Sequence, residues 1–106
     1  MITVVAEKKD GGYCSFCSSG HAGSGPGGFD IVCAAVSALV ITTANSLEAF
    51  TDDSFETECR DGYVRLSFPD PLSREACLLL DSLMLGLSSI EQEYGSKYIK
   101  VKVREV

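Results

Sequence analysis

The chain has 106 residues, of which 45% are hydrophobic and 23% are charged, so its composition is that of a globular protein and not of a disordered segment. This length predicts a single domain over residues 1–106. A formal net charge of -6 argues against direct binding of nucleic acid, because the field of the whole protein repels phosphates.

The cysteines and the apolar segments indicate where the chain acts. There are five cysteines, an odd number, and no export signal precedes them, which favours a reduced cytoplasmic protein over a disulfide framework. No apolar run approaches the roughly 20 residues that cross a bilayer, so no membrane segment is expected. In the cytoplasm a cysteine is a packing residue, a metal ligand or a reactive thiol.

The first half of the chain predicts two strands, a glycine-rich loop and a helix. Ile2, Val4 and Ala6 alternate with Thr3, Val5 and Glu7, which predicts a strand. The turn Lys9–Gly12 contains two glycines, which predicts a hairpin to a second strand over residues 13–18. After the loop, Asp30 suits a helix N-cap, and the helix is expected to run from Ile31 to about Ala49.

The second half predicts a hairpin, a long helix and a final strand. The strands are Phe55–Cys59 and Tyr63–Phe68, the helix starts near Leu72 or Ser73 and reaches about Tyr94, and the last strand is Tyr98–Val106. The apolar residues of this helix cover more of its circumference than the single stripe of a surface helix. We therefore expect the helix to be buried on two sides or to face a second subunit through positions such as Leu79 and Leu83. The order β-β-α-β-β-α-β predicts an α/β (α+β) domain of two layers, with both helices on one face of a mixed sheet.

His21 and Cys33 flank the glycine-rich loop Gly20–Gly28 and are the residues we expect to carry chemistry. Cys33 falls in the first turn of the predicted helix, where unsatisfied N–H groups favour a thiolate. Acyl transfer requires a nucleophile, a base that returns a proton to the leaving amine, and donors for the oxyanion. Cys33 and His21 can supply the first two roles, so the arrangement is compatible with a cysteine-dependent acyl-transfer enzyme that uses no metal and no cofactor.

Each of these residues also has a structural interpretation. A cysteine in an Ala/Val-rich helix and a lone histidine are both often packing residues. Asp30 needs only to cap the helix, although it is also placed to orient His21 as the third member of a triad. Ser37 lies four residues after Cys33 on the same helix face, either on the floor of the site or in solvent.

A zinc site is a further alternative. Cys14, Cys17, His21 and Cys33 are ligands of the type that zinc prefers. However, residues three apart on a strand point to opposite faces, and the chain has no second pair of closely spaced cysteines. The cysteine-protease interpretation is therefore favoured over the metal site.

Several segments resemble one bacterial family. Gly20–Ala22 (GHA) followed by Asp30–Leu39 (DIVCAAVSAL) resembles the signature of the ribosomal-processing cysteine protease Prp family. The resemblance continues through Thr42–Leu47, the second half of the long helix, and Tyr98–Val101. It covers essentially the whole chain.

The resemblance implies a cytoplasmic homodimer that removes the N-terminal extension of a large-subunit ribosomal protein, the one numbered twenty-seven. It implies that the loop Ala22–Phe29 covers the bound substrate. It also implies catalytic roles for His21 and Cys33, and supporting roles for Asp30, Gly20 and Ser37. A non-enzymatic ribosome-associated binding factor with the same fold is the alternative.

Overall fold

A computed structural model describes the backbone of residues 1–21 and 28–106 and the side chains of residues 1–21 and 31–106. Seven elements occur in the order β1 (Ile2–Lys9), β2 (Gly12–Gly20), α1 (Gly28–Phe50), β3 (Glu56–Arg60), β4 (Tyr63–Ser67), α2 (Arg74–Tyr94) and β5 (Ile99–Glu105). The predicted order and the α+β class are therefore confirmed, with boundaries close to those expected from the sequence.

The five strands form one mixed sheet in the order β3-β4-β2-β1-β5. β1 is central: it pairs antiparallel with β2 and parallel with β5, while β4 pairs antiparallel with both β2 and β3. Asp10 and Gly11 form the turn between β1 and β2, and both have positive φ, 53° and 84°, as a type I′ hairpin requires. A register shift between Glu7 and Lys8 leaves Cys14 as the extra residue of a β-bulge.

Both helices pack on one face of the sheet. Ile2, Val4 and Ala6 of β1 are buried, whereas the residues between them are only half-buried. The two helices approach each other closely at Gly86 of α2, where a Cβ atom would lie 3.0 Å from Cδ1 of Leu39 on α1. The largest fully buried side chains, which form the centre of this core, are Phe16, Leu47, Leu66, Leu80, Leu83, Leu87, Ile99, Val4 and Val32.

Side-chain hydrogen bonds fix the start of α2 to the rest of the protein. The hydroxyl of Ser73, the N-cap, accepts from the Ala76 amide at 3.1 Å. Asp53 accepts from both the amide and the hydroxyl of Ser73, at 2.7 and 2.5 Å, and these hydrogen bonds lower the pKa of the Asp53 carboxyl. About two turns further along α2, Asp81 accepts from the Tyr13 hydroxyl at 2.5 Å. Burial and then this hydrogen bond raise the pKa of Tyr13 above its usual value.

Two sequence-based expectations about α1 are wrong. The helix begins at Gly28, so Asp30 lies inside its first turn and not at the N-cap, and Cys33 lies in the second turn. A glycine disfavours a helix by only about 1 kcal/mol, which the rest of a long helix offsets. Residues Ile31–Phe50 are also long and apolar enough to cross a membrane, by length and composition, which the sequence analysis did not expect of any segment. The core helix of a globular protein meets the same criterion, and the core of this protein contains Val32, Val36, Val40 and Leu47 of α1.

Candidate active site

A cleft of about 310 Å³ lies where α1, the end of β2 and the β3–β4 hairpin meet. Its lining includes the predicted pair, His21 and Cys33, together with two of the predicted supporting residues, Gly20 and Ser37. The hairpin contributes residues 59–64. The structure thus brings four of the five predicted site residues together, and the side chain of the fifth, Asp30, lies outside the described residues.

His21 directly follows β2. Two glycines hold the backbone near its imidazole in place: Gly20, which precedes it in the chain, and Gly62 in the β3–β4 turn. Gly20 has a φ of 94°, and a Cβ atom there would collide with the carbonyl oxygen of Met1. The Gly20 amide donates to the carbonyl oxygen of Gly62 at 2.8 Å, which ties the end of β2 to the β3–β4 turn. The exposed imidazole itself lies against Gly62, where a Cβ atom would be 2.6 Å from Nε2. Gly20 and Gly62 therefore allow the imidazole of His21 to lie in the cleft.

Cys33 reaches the cleft from α1. It is half-buried and packs against the hydrophobic core, next to the fully buried Val32. Ser37, one turn later on the same helix face, is exposed in the cleft. Cys33 therefore lies one turn further into α1 than the sequence predicted.

The structure does not assemble the alternative zinc site. Cys14 and Cys17 lie on β2 outside the lining of the cleft, and the Cys14 thiol donates to the Glu7 carbonyl oxygen at 3.4 Å. Within residues 1–21 and 31–106, no three His, Cys, Asp or Glu side chains are grouped so that they could hold a metal ion.

The sequence analysis predicted the β3–β4 hairpin but did not predict that its turn contributes to the cleft. The turn reaches the cleft because β4 pairs with β2, with Tyr63 opposite Ser19. The guanidinium of Arg60 lies 4.2 Å above the Tyr63 ring and also pairs with Glu58 at 2.7 Å. No local signal could have placed this turn beside His21, since the pairing joins strands that are distant in sequence.

The cleft is lined by an imidazole and a thiol, the two side chains that a thiol-dependent hydrolase requires. Comparison with known proteins identifies the family. The family described as cysteine protease Prp matches residues 1–100 of this chain. The ribosomal processing cysteine protease Prp of Staphylococcus aureus (strain Mu50) is 32% identical over 98 residues, which cover 90% of this chain and 92% of that protein. The chain therefore belongs to the cysteine protease Prp family.

Two solved structures of the S. aureus protease share this fold. One, in complex with a covalently linked product peptide, has a TM-score of 0.88 and 31% identity, and the match covers 98% of this chain and 100% of that one. The other, in complex with a substrate peptide, has a TM-score of 0.89 and 30% identity over the same fractions. The chain is thus a cysteine protease, which sets aside the non-enzymatic binding factor considered from the sequence.

Proposed function

We propose that this chain is a cytoplasmic endopeptidase that removes the N-terminal extension of a large-subunit ribosomal protein, the one numbered twenty-seven, during ribosome maturation. The observation that carries the proposal is the cleft shared by His21 and Cys33 in a chain of this family. The relative processes a ribosomal substrate, according to its name, and is known in complex with peptides. A net charge of -6 favours encounter with a basic ribosomal protein and disfavours direct contact with nucleic acid.

In this proposal residues 1–106 form a single protease domain that acts without a cofactor and without a membrane. His21 takes the proton of the Cys33 thiol, and the sulfur attacks the carbonyl carbon of the scissile bond. The tetrahedral intermediate expels the amine, which receives the proton from His21, and leaves a thioester on Cys33. His21 then deprotonates a water molecule, which hydrolyses the thioester and releases the second product.

Supporting roles are assigned to the neighbours of this pair. Gly20 sets the end of β2 that presents His21, and Ser37 lines the floor beside Cys33. The first N–H groups of α1 have no partner within the helix and serve as donors for the oxyanion. Asp30 is assigned to orient the imidazole from the first turn of α1.

The test is cleavage of a precursor that carries the extension, under reducing conditions. Cys33→Ala is expected to lose cleavage, because the nucleophile is gone, and His21→Ala to slow it by roughly 10²–10⁴-fold, the usual contribution of a general base. Cys17→Ala is the matched control, since its thiol lies on β2 outside the lining of the cleft, and it is expected to cleave like wild type. Cleavage by Cys33→Ala at the wild-type rate, or none by wild type, would contradict the proposal.

We also propose that the protein is a homodimer and that the outer surface of the helices forms the interface. The sequence-based choice of Leu79 and Leu83 for this surface is wrong: Leu83 is only 2% exposed, and Leu79 packs against the core. The exposed leucines of α2 are Leu78 and Leu85, at 68% and 71%, seven residues apart and hence on one helix face. Ile31 of α1 is exposed as well and lies outside the lining of the cleft. Such an apolar surface is typical of an interface.

The dimer is tested with the double variant Leu78→Glu/Leu85→Glu. Two charges on the proposed interface are expected to give a monomer by light scattering, while wild type has the mass of a dimer. Lys97→Glu on the exposed loop before β5 is the control for added negative charge. A monomeric wild type, or a double variant that keeps the dimer mass, would rule out this interface.

A further inference from the structure

The turn between β3 and β4 is linked to the histidine through the backbone. Arg60 pairs with Tyr63, which leaves Asp61 and Gly62 as the two residues of the turn, and Gly62 has a φ of 69° in the left-handed region. The carbonyl oxygen of Gly62 accepts from the amide of Gly20, the residue directly before His21, at 2.8 Å. This hydrogen bond holds the turn and the backbone of the histidine at a fixed separation.

The imidazole occupies the space that a side chain at Gly62 would fill. A Cβ atom on Gly62 would lie 2.6 Å from Nε2 of His21, 3.1 Å from Cε1 and 3.3 Å from Cδ2. Non-bonded carbon and nitrogen atoms do not approach to such a distance without strain. The turn cannot retreat from the ring without breaking the Gly20–Gly62 hydrogen bond, so it is the ring that would have to move.

We propose that Gly62 is a positioning residue for the protease reaction: the absence of a side chain at this turn lets the His21 imidazole stand where it takes the proton of Cys33. Gly62 does not touch the substrate in this account and acts only through the histidine. Misplacement of a catalytic group by about 1 Å can cost roughly 100-fold in rate. The inference rests on the roles proposed above for His21 and Cys33.

The chain offers a matched control in its other hairpin. Gly11 also follows an aspartate in a two-residue turn and has a φ of 84°, but nothing lies within 4 Å of a Cβ atom built on it. Gly62→Ala and Gly11→Ala therefore introduce the same backbone strain, and their melting temperatures are expected to fall by similar amounts. Only Gly62→Ala also displaces the imidazole.

Steady-state cleavage of the precursor peptide measures the consequence. Gly62→Ala is expected to lower kcat by roughly 100-fold with little change in KM, whereas Gly11→Ala leaves both near wild type. The chain has one histidine, so its imidazole proton signals in an NMR spectrum need no assignment. Those signals are expected to shift in Gly62→Ala and to stay in place in Gly11→Ala, which a merely structural role would not produce.

Equal kcat values for Gly62→Ala and Gly11→Ala, with unshifted imidazole signals, would overturn the inference. If Gly62→Ala does not fold, Gly62→Asn is compared with Gly11→Asn, because asparagine tolerates positive φ and still carries a Cβ atom. His21→Ala is assayed in parallel. A His21→Ala variant that cleaves like wild type would refute the proposed function, whereas an inactive His21→Ala beside fully active Gly62 variants would refute this inference alone.

Discussion

At each end of the β-sheet a two-residue turn has the sequence Asp-Gly, but the surroundings of the two turns differ. At one end Asp61–Gly62 lies against His21 and opens into the cleft. We call the other end the distal end. There a Cβ atom on Gly11 would meet nothing within 4 Å. Polar side chains at this end form hydrogen bonds within the protein, such as the one from Tyr13 to Asp81. The same turn is thus a simple chain reversal at the distal end and part of the site at the cleft end.

The comparison separates stability from function. Polar groups at the distal end are satisfied within the protein and fix α2 to the sheet, as the Asp53–Ser73 pair does. Polar groups of the cleft must stay accessible to a peptide, so they cannot be buried to stabilise the fold. Substitutions of the hydrogen-bonded side chains at the distal end should therefore lower the free energy of unfolding and leave cleavage intact, whereas substitutions at the cleft end should lower cleavage.

The largest effect at the distal end is expected for Tyr13→Phe. The variant loses a hydrogen bond to a carboxylate that links β2 to α2, which should lower the free energy of unfolding by roughly 1–2 kcal/mol. This expected loss is at the lower end of the range for a hydrogen bond to a charged group, because Asp81 is exposed and water can replace the tyrosine hydroxyl as its donor. Urea denaturation measures the loss, with Tyr94→Phe on the exposed end of α2 as the control. A fall in kcat for Tyr13→Phe without a loss of stability would show that the distal end contributes to catalysis and not only to stability.

A smaller effect is expected for Ser73→Ala, which removes the N-cap of α2. The Ala76 amide loses its acceptor and Asp53 loses one donor, at a cost of about 1 kcal/mol. Ser82→Ala, exposed in the middle of the same helix, is the control and should be neutral or slightly stabilising, since alanine is the better helix former. Equal melting temperatures for Ser73→Ala and wild type would show that the cap contributes nothing.

The smallest expected effect is a pH dependence of stability from the same two contacts. Folding raises the pKa of Tyr13, so its contribution is complete below about pH 10 and is lost as the pH rises above that value. Folding lowers the pKa of Asp53, so its contribution is present above about pH 4 and is lost as the pH falls below it. Tyr13→Phe should flatten the alkaline limb of unfolding free energy against pH, and Asp53→Asn the acid limb. Unchanged limbs in both variants would contradict these assignments.

Local sequence patterns predicted all seven elements and both Asp-Gly turns, because alternation, glycine and capping residues act between near neighbours. The family signature placed His21 and Cys33, which the structure brings to one cleft. The contact of Gly62 with His21 could not be predicted, since it depends on the pairing of β2 with β4. The apolar width of α2 likewise did not reveal which leucines face outward, because that is decided by how α2 packs on the core.

The start of α1 shows the same limit at short range. Asp30 has the side chain of an N-cap, yet the helix extends two residues before it to Gly28. The capping preference of a residue depends only on its nearest neighbours in the chain. Where a helix starts depends also on the stability that the whole packed helix provides. The prediction was therefore correct about the element and wrong about its first turn.

The central claim, that His21 activates Cys33, is tested most directly by alkylation with iodoacetamide, followed at each cysteine by peptide mass mapping. At about pH 6, where an uncoupled thiol is almost unreactive, Cys33 of wild type should react faster than the similarly half-buried Cys77. His21→Ala should slow Cys33 by at least about ten-fold and leave Cys77 unchanged. Equal rates at Cys33 in the two proteins would contradict the account.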